Sequence, residues 1–526
     1  MNYRKIYFLL IAAASVLTMA SCSKKLDRLP NNGIYADSVY NTLGGYKQSL
    51  AKVYAAFALT GSNGPGTTDL AGIDAGLSDF VRMYWNVQEL ASDEAVCAWI
   101  TDANGAILEL NTMNWSANDA ILTGLYNRCF YQITVANSFI RSATPDAVAK
   151  NGITGANADE IKHYVAEARF LRAYQYWVLM DLFGNPPFVT ENDAIGSFLP
   201  KQISRDSLFT YVESELKAIE PDLIDARANE YGRADKGADW ALLARLYLNA
   251  EVYTGTARYA DAAMYAKKVI DAGYQLKSNY KDLFLADNNV NNPEVILSVN
   301  YDALRTQNYG GTTFIVNSSI NSDMVPSSFG VPAGGWGGNR AKPTLPNLFG
   351  NLSDSTDTRA MFFGDIKDVT AMNQFTDGLR VTKFKNINSD GSTPPDAGVF
   401  CSTDFPLFRL GEVYLEYAEA LLRTGDATRA LTAFNAVRER AYGNTSGNLT
   451  TLTLDDIMDE RGRELYWEGY RRTDLIRFGK YTAGNYLWQW KGGVKDGTAV
   501  ASYLQLYPIP STDMVSNTNL IQNPGY

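Results

Sequence analysis

The chain has 526 residues, enough to bury a large core in more than one structural layer. Apolar residues make up 46% and charged residues 20%, which is a globular composition and not a disordered one. The formal net charge is -10, and nothing in it favours nucleic acid, which asks for a clustered basic face.

The chain begins Met1-Asn2-Tyr3-Arg4-Lys5, continues as an apolar block from Ile6 to Ala20, and reaches Ser21-Cys22. A positive start, a short apolar core and small residues before a cleavage point read as a secretory signal. The block is shorter than the roughly 20 apolar residues of a membrane span. A cysteine directly after the small residues points to a bacterial lipoprotein signal, in which Cys22 carries lipid and tethers the exported chain. An ordinary cleaved signal with an incidental cysteine is the alternative. The domain reading is a signal peptide over 1–21 and one unit over 22–526. Setting Cys22 aside leaves Cys97, Cys129 and Cys401, an odd number without tight spacing. That is no disulfide framework, although a single bridge stays open.

Helical patterns follow. An early pair is read over Gly45–Phe57 and Leu122–Arg141. From Tyr164 to Leu182 the residues Tyr164, Ala168, Leu171, Tyr174, Val178 and Leu182 share one helical face. The breaker run Gly184-Asn185-Pro186-Pro187 stops that helix, and Ser207–Ile219 is the next. Ala238–Glu251 pairs with Tyr259–Ala272, and Leu410–Leu422 with Ala427–Ala441 across Gly425-Asp426. Small and aromatic residues alternate in these pairs, as in tetratricopeptide repeats, whose unit is about 34 residues. The fold class is therefore mainly α: four interrupted tetratricopeptide-type helix pairs with a large irregular region of loops and short strands. The scaffold runs over about 40–272 and 406–480, and the insertion over about 274–405. The insertion holds strand-like runs at Val295–Val299 and Thr312–Val316. It also holds Gly334-Gly335-Trp336-Gly337-Gly338 and Thr393-Pro394-Pro395. Long loops on a rigid scaffold are where binding usually resides.

Aromatic residues are the compositional outlier, with 9 Trp, 32 Tyr and 23 Phe. Exposed rings flanked by polar side chains suit sugars, which present apolar C–H faces and a rim of hydroxyls. Enzyme motifs are sparse. His163 is the one histidine and lies in a helical pattern, where a structural role is the simpler reading. No His-Glu-x-x-His, Cys-x-x-Cys or phosphate-loop motif occurs. A glycosidase needs only two carboxylates, and Glu460 and Glu464 share a helical face. Ion pairs with Arg461, Arg463, Arg471, Arg472 and Arg477 account for them more simply. A calcium near Asp287-Asn288-Asn289 suits oxygen ligands, but the spacing is no recognised loop, and no cofactor is expected.

Several segments, in order along almost the whole chain, resemble the SusD/RagB family of surface glycan-binding lipoproteins. They are Leu26-Asp27 with Pro30, Ala166–Tyr174, Asp181-Leu182-Phe183-Gly184, Gly232-Arg233-Ala234-Asp235, Ala244–Leu248, Arg409–Leu415, Glu460–Leu465, Tyr507-Pro508-Ile509-Pro510 and Gln522–Tyr526. The stretches Asp93–Trp99, Asn308-Tyr309-Gly310-Gly311, Trp488–Gly493 and Val500–Tyr503 are most similar to the starch-binding type. The resemblance implies a non-catalytic protein that captures starch-like α-glucan for a SusC-like TonB-dependent outer-membrane transporter. It implies ligand contacts at Trp99, Tyr309, Trp336 and Arg82, with Asp102 where the family has Asn. It also places Cys97 where the starch-binding type has a second stacking Trp, so one subsite is expected to be weakened or reorganised. The Trp488/Trp490 pair is read as packing of the C-terminal region. The competing readings are a binding protein for another glycan or a peptide, and a surface glycoside hydrolase.

Overall fold

A computed structural model describes residues 39–196 and 198–526. The signal segment and Cys22 lie outside the described residues.

The helices fall in pairs. α1 (Leu43–Ala58) packs on α2 (Ala120–Ser142), and α3 (Ala156–Phe183) packs on α4 (Arg205–Ile219). α5 (Lys236–Leu248) packs on α6 (Tyr259–Asp271). α8 (Leu410–Arg423) packs on α9 (Ala427–Tyr442). Consecutive pairs stack on one another: α2 lies on α3 and α6 on α8. Most starts are set by side-chain caps. Thr42, Asp119, Ser204, Asp235 and Asp426 each accept a backbone N–H of the first turn. The stacked pairs bury small and aromatic faces together, as in the Tyr247–Tyr265 stack at 5.6 Å between α5 and α6. α3 starts eight residues before the predicted Tyr164 because its first turns are polar and carry little periodic signal. It ends at Gly184, at φ +73, as the breaker run requires.

The insertion contributes two-stranded sheets only. β1 (Ala95–Cys97) pairs antiparallel with β3 (Asn339–Ala341), with Cys97 opposite Asn339. β2 (Val295–Val299) pairs antiparallel with β4 (Phe405–Arg409), which runs directly into α8. One expected strand is not there. Thr312–Val316 lies inside a nine-residue helix, α7 (Gly311–Ser319), every residue of which is buried. A short run such as Thr-Thr-Phe-Ile-Val buried on all sides has no periodicity that separates strand from helix, so tertiary packing decides it.

Glu460 and Glu464, on α10 (Leu454–Leu465), are fully buried in an ion-pair network. Most of its cations come from other parts of the chain than the arginines nearby in sequence. Glu460 meets Arg359, Arg438 and Arg463, and Glu464 meets Arg359, Arg409 and Arg440. Of the arginines expected around them, only Arg463 pairs with either carboxylate; Arg461 and Arg477 pair with Asp474, and Arg471 with Asp93. Burial alone would raise Glu460, but Arg359, Arg463 and Arg438 outweigh it and hold the carboxyl at about 2. The three cysteines among the described residues are free and buried.

Candidate functional site

α7 is the mount of the site. Its N-terminal end carries Tyr309 through the turn Asn308-Tyr309-Gly310-Gly311. The Asp79 carboxylate, which caps the short helix Phe80–Trp85 by accepting the Arg82 N–H at 2.7 Å, also accepts the Gly311 N–H at 2.9 Å. A Cβ at Gly310 would lie 2.1 Å from the Asp79 carboxyl carbon, so only glycine permits this approach. Burial raises the Asp79 pKa, and the two N–H groups oppose that rise. Tyr309 itself is 42% exposed.

The other end of α7 carries Trp336. The Trp336 N–H donates to the Asn317 carbonyl at 2.8 Å, and the Gly337 N–H donates to the Ile320 carbonyl at 2.8 Å. The Asn317 carbonyl also accepts the Ile320 N–H of the C-cap at 3.3 Å, and the glycine-rich loop completes the capping of this helix end. Gly334, Gly337 and Gly338 all have positive φ, which the tight return of this loop needs. The Tyr309 and Trp336 rings then stand 6.3 Å apart, tilted by 47°.

Trp99 lies two residues beyond the end of β1 and is partly buried. The Ala98 N–H donates to the Gly338 carbonyl at 2.9 Å, and the Trp99 ring lies over Gly338. Its inner edge meets Phe314 of α7 at 6.1 Å. The Arg82 guanidinium covers the same Phe314 ring at 4.6 Å and donates to the Tyr309 carbonyl at 3.3 Å. Its link to Asp79 runs through the backbone, and no ion pair with Asp79 or Glu89 forms. Asp102 is exposed, its N–H bonded to the Trp99 carbonyl at 2.9 Å. It opens a turn in which Ala103, Asn104 and Gly105 all have positive φ.

The structure thus gathers Trp99, Tyr309, Trp336, Arg82 and Asp102 around one helix. Cys97 does not join them. It is 1% exposed, its N–H is held by Asn111, and burial pushes its thiol up to about 12. Phe400 was not anticipated. This half-buried ring lies 5.4 Å from Tyr309. Its segment is fastened to α7 by Asn317, which donates to the Val399 carbonyl, and by Thr313, which accepts the Cys401 N–H. Its neighbours Val399 and Cys401 give no signal like the glycines on both sides of Trp336.

The remaining candidates serve the fold. His163 Nδ1 sits 2.6 Å from the Asp222 carbonyl. Trp488 is buried, and Trp490 donates to the Val369 carbonyl at 3.1 Å. Asp287 is bonded to Ser389, and the Asn288 amide to the Leu283 and Asp404 carbonyls. Among the described residues no group of three or more His, Cys, Asp or Glu side chains is placed to hold a metal, and no helix is long and apolar enough to cross a membrane.

Two family models match the chain. Residues 75–248 match one described as "Starch-binding associating with outer membrane", and residues 368–526 match the SusD family. The chain is 38% identical to the starch-binding protein SusD of Bacteroides thetaiotaomicron, with 91% of each chain covered. It is 25% identical to a SusD-like protein of Bacteroides ovatus, covering 92% of this chain and 85% of the other. Among solved structures it is similar to a laminarin-binding SusD-like protein, at 23% identity and a TM-score of 0.68, covering 91% of this chain and 99% of that one. It is also similar to surface glycan-binding protein A of Bacteroides thetaiotaomicron in complex with laminarihexaose, at 19% identity and a TM-score of 0.69, covering 91% and 98%. At these identities the two structures bear on the fold alone.

Proposed function

The chain belongs to the SusD family, and on that footing we propose that it is a non-catalytic glycan-binding lipoprotein whose ligand is a starch-like α-glucan. The observation that carries this reading is the row of accessible rings, Phe400, Tyr309 and Trp336, mounted on α7 beside Trp99. Rings offset and tilted in this way give a curved apolar surface, on which successive sugar rings can each place a C–H face. Asp102 and Arg82 stand at its border to bond hydroxyls. Nothing in the row supplies a general acid and a nucleophile facing each other across a ligand. Glu460 and Glu464 lie inside the fold, tied to arginines and out of a substrate's reach.

The remainder of the reading is cellular. Cys22 carries the lipid, the protein associates with the outer membrane, and a SusC-like TonB-dependent transporter receives the glycan. The 38% identical relative named for starch binding supports the choice of ligand, and the family description supports the membrane association.

Calorimetry of the purified protein against maltoheptaose, laminarihexaose and other oligosaccharides tests the ligand. Binding of maltoheptaose that disappears in the Trp99→Ala/Tyr309→Ala/Trp336→Ala variant is the expected result. Affinity only for peptides or for another glycan, or α-glucan binding untouched by the triple substitution, overturns it. Incorporation of labelled palmitate, lost on Cys22→Ser, tests the anchor.

A further inference from the structure

Next to Trp336 stands an aromatic ring to which the row above gives no role. Phe375 is 39% exposed and lies in the loop 370–377, outside any helix or strand. The loop is nevertheless fixed at several points. The Asp377 carboxylate accepts the Thr370 and Ala371 N–H groups at 2.9 and 3.0 Å and also takes the Thr370 hydroxyl. Arg340, buried on β3, donates to the Asp377 carbonyl at 2.7 Å and to the Met372 carbonyl at 2.9 Å. Its third bond, at 2.6 Å, goes to the carbonyl of Gly338, the residue under Trp99. Asn321 donates to the carbonyl of Phe375 itself at 2.9 Å. A Cβ added at Gly337 would lie 3.2 Å from Phe375 Cδ1, so the ring rests against the backbone beside Trp336.

Single exposed phenyl rings are common on protein surfaces. This one differs in two independent respects. A buried arginine, bonded to three backbone carbonyls, costs desolvation that a merely solvent-filling loop does not need. That cost is placed where it holds the ring adjacent to the proposed site. The ring is also flanked by exposed Asn373, Gln374 and Thr376, whose amides and hydroxyl can meet a rim of sugar hydroxyls. A ring carried on a backbone already held at several points requires less ordering when a ligand covers it.

We propose that Phe375 is a further stacking platform, taking a sugar ring of a glycan chain beyond the ring placed over Trp336. The site then accommodates a run of hexose residues long enough to span Tyr309, Trp336 and Phe375. This rests on the reading of Tyr309 and Trp336 as a glycan site.

Titration calorimetry with maltotriose and maltoheptaose tests it on the wild type, Phe375→Ala, Phe375→Tyr and Trp336→Ala, with thermal melts to show that each variant is folded. Phe375→Ala is expected to weaken maltoheptaose by roughly 3- to 10-fold, the range of one aromatic stacking contact. It is expected to leave maltotriose, which is held over Tyr309 and Trp336, unchanged, and Phe375→Tyr restores the longer ligand. Maltoheptaose binding equal in Phe375→Ala and wild type, while Trp336→Ala loses it, refutes the platform and leaves the function standing. A wild type that binds no maltooligosaccharide overturns the α-glucan reading, and the platform with it.

Discussion

Gly338 offers a way to disturb the site without removing any aromatic ring. Its φ is +111, and a Cβ there would lie 2.6 Å from Nε1 and Cε2 of Trp99. Gly338→Ala therefore carries two costs. Positive φ is unfavourable for an alanine by about 1–2 kcal/mol, and the methyl cannot coexist with the indole in its present place. The neighbouring backbone cannot yield easily, because the Gly338 carbonyl holds both the Ala98 N–H and Arg340. The indole is the part that must swing away. A tryptophan that buries about 150–250 Å² in full, and is already partly covered, has on the order of 50 Å² left for a ligand. At roughly 25 cal/mol/Å² that is about 1.3 kcal/mol, or about a tenfold loss of affinity. Trp99→Ala should lose about the same. The double variant should lose little more than either single one, since both remove the same contact. Calorimetry with maltoheptaose on the four proteins measures this cycle. A Gly338→Ala protein that binds like wild type while Trp99→Ala does not would show that the indole tolerates the methyl. Additive losses would show that Gly338 acts on binding by another route.

Other consequences follow from the buried charges and thiols. Glu464→Gln leaves Arg359, Arg409 and Arg440 short of their shared anion and should lower stability by about 3–5 kcal/mol in urea unfolding; a loss below about 1 kcal/mol would refute the network's role. Burial raises Glu89, Asp119 and Asp404 to about 7, so their ionisation opposes folding. Their contribution is fully present below their unfolded pKa near about 4 and is lost as pH rises through about 7. Glu460 works in the opposite sense, being held at about 2 and protecting only above its unfolded pKa. The melting temperature should therefore peak near pH about 4 to 5, fall as pH rises to about 7 and level off above it; a flat or rising curve between pH about 5 and about 7 contradicts the assignment. Cys97 and Cys401, both raised to about 12 by burial, and buried Cys129 should ignore a thiol reagent in the native protein and react fully in urea.

The scaffold was legible because each long helix repeats its apolar residues over several turns and stops at a glycine or a cap. The helix ending at Gly184 and the pairs around Tyr247 and Phe434 are of this kind. Where periodicity is absent, sequence reading failed. The segment Thr312–Val316 has β-branched residues and no polar face, and nothing local distinguishes a buried strand from a buried helix. Its helical state depends on Asp79, more than two hundred residues away, which accepts the Gly311 N–H. Trp336 stands out in the sequence because glycines flank it on both sides, and the structure packs its half-buried ring against the core beside Tyr309. Phe400, between Val399 and Cys401, has no such flank and drew no notice. Phe375 has no such flank, and only the bonds from Arg340 and Asn321 single it out. The partners of Glu464 were misjudged for a related reason. Helical spacing shows which charges share a face, but Arg359, Arg409 and Arg440 arrive from other elements.

The misread segment is also the one that organises the site. All four rings of the row and its border are fixed to α7: Tyr309 before it, Trp336 after it, Phe400 along its flank and Trp99 on Phe314. A helix buried at every residue cannot shift without disturbing the core on all sides. The helix from which the rings are mounted is therefore a fixed base. Such a site gains affinity by avoiding the ordering of loops on binding. It gains nothing toward bond cleavage, which requires groups whose interactions strengthen in the transition state. A row of rings without an acid facing a base is suited to holding a sugar chain and releasing it unchanged. It also makes a sharp demand on Phe314. Phe314→Leu keeps the helix apolar but removes the ring under both Trp99 and Arg82. Thermal stability should fall by about 1–3 kcal/mol, because leucine is smaller than the buried ring and Trp85 loses its edge-on contact as well, whereas glycan affinity should fall about as far as in Trp99→Ala. A variant that keeps full affinity after losing that support would mean that Trp99 is positioned by Gly338 alone.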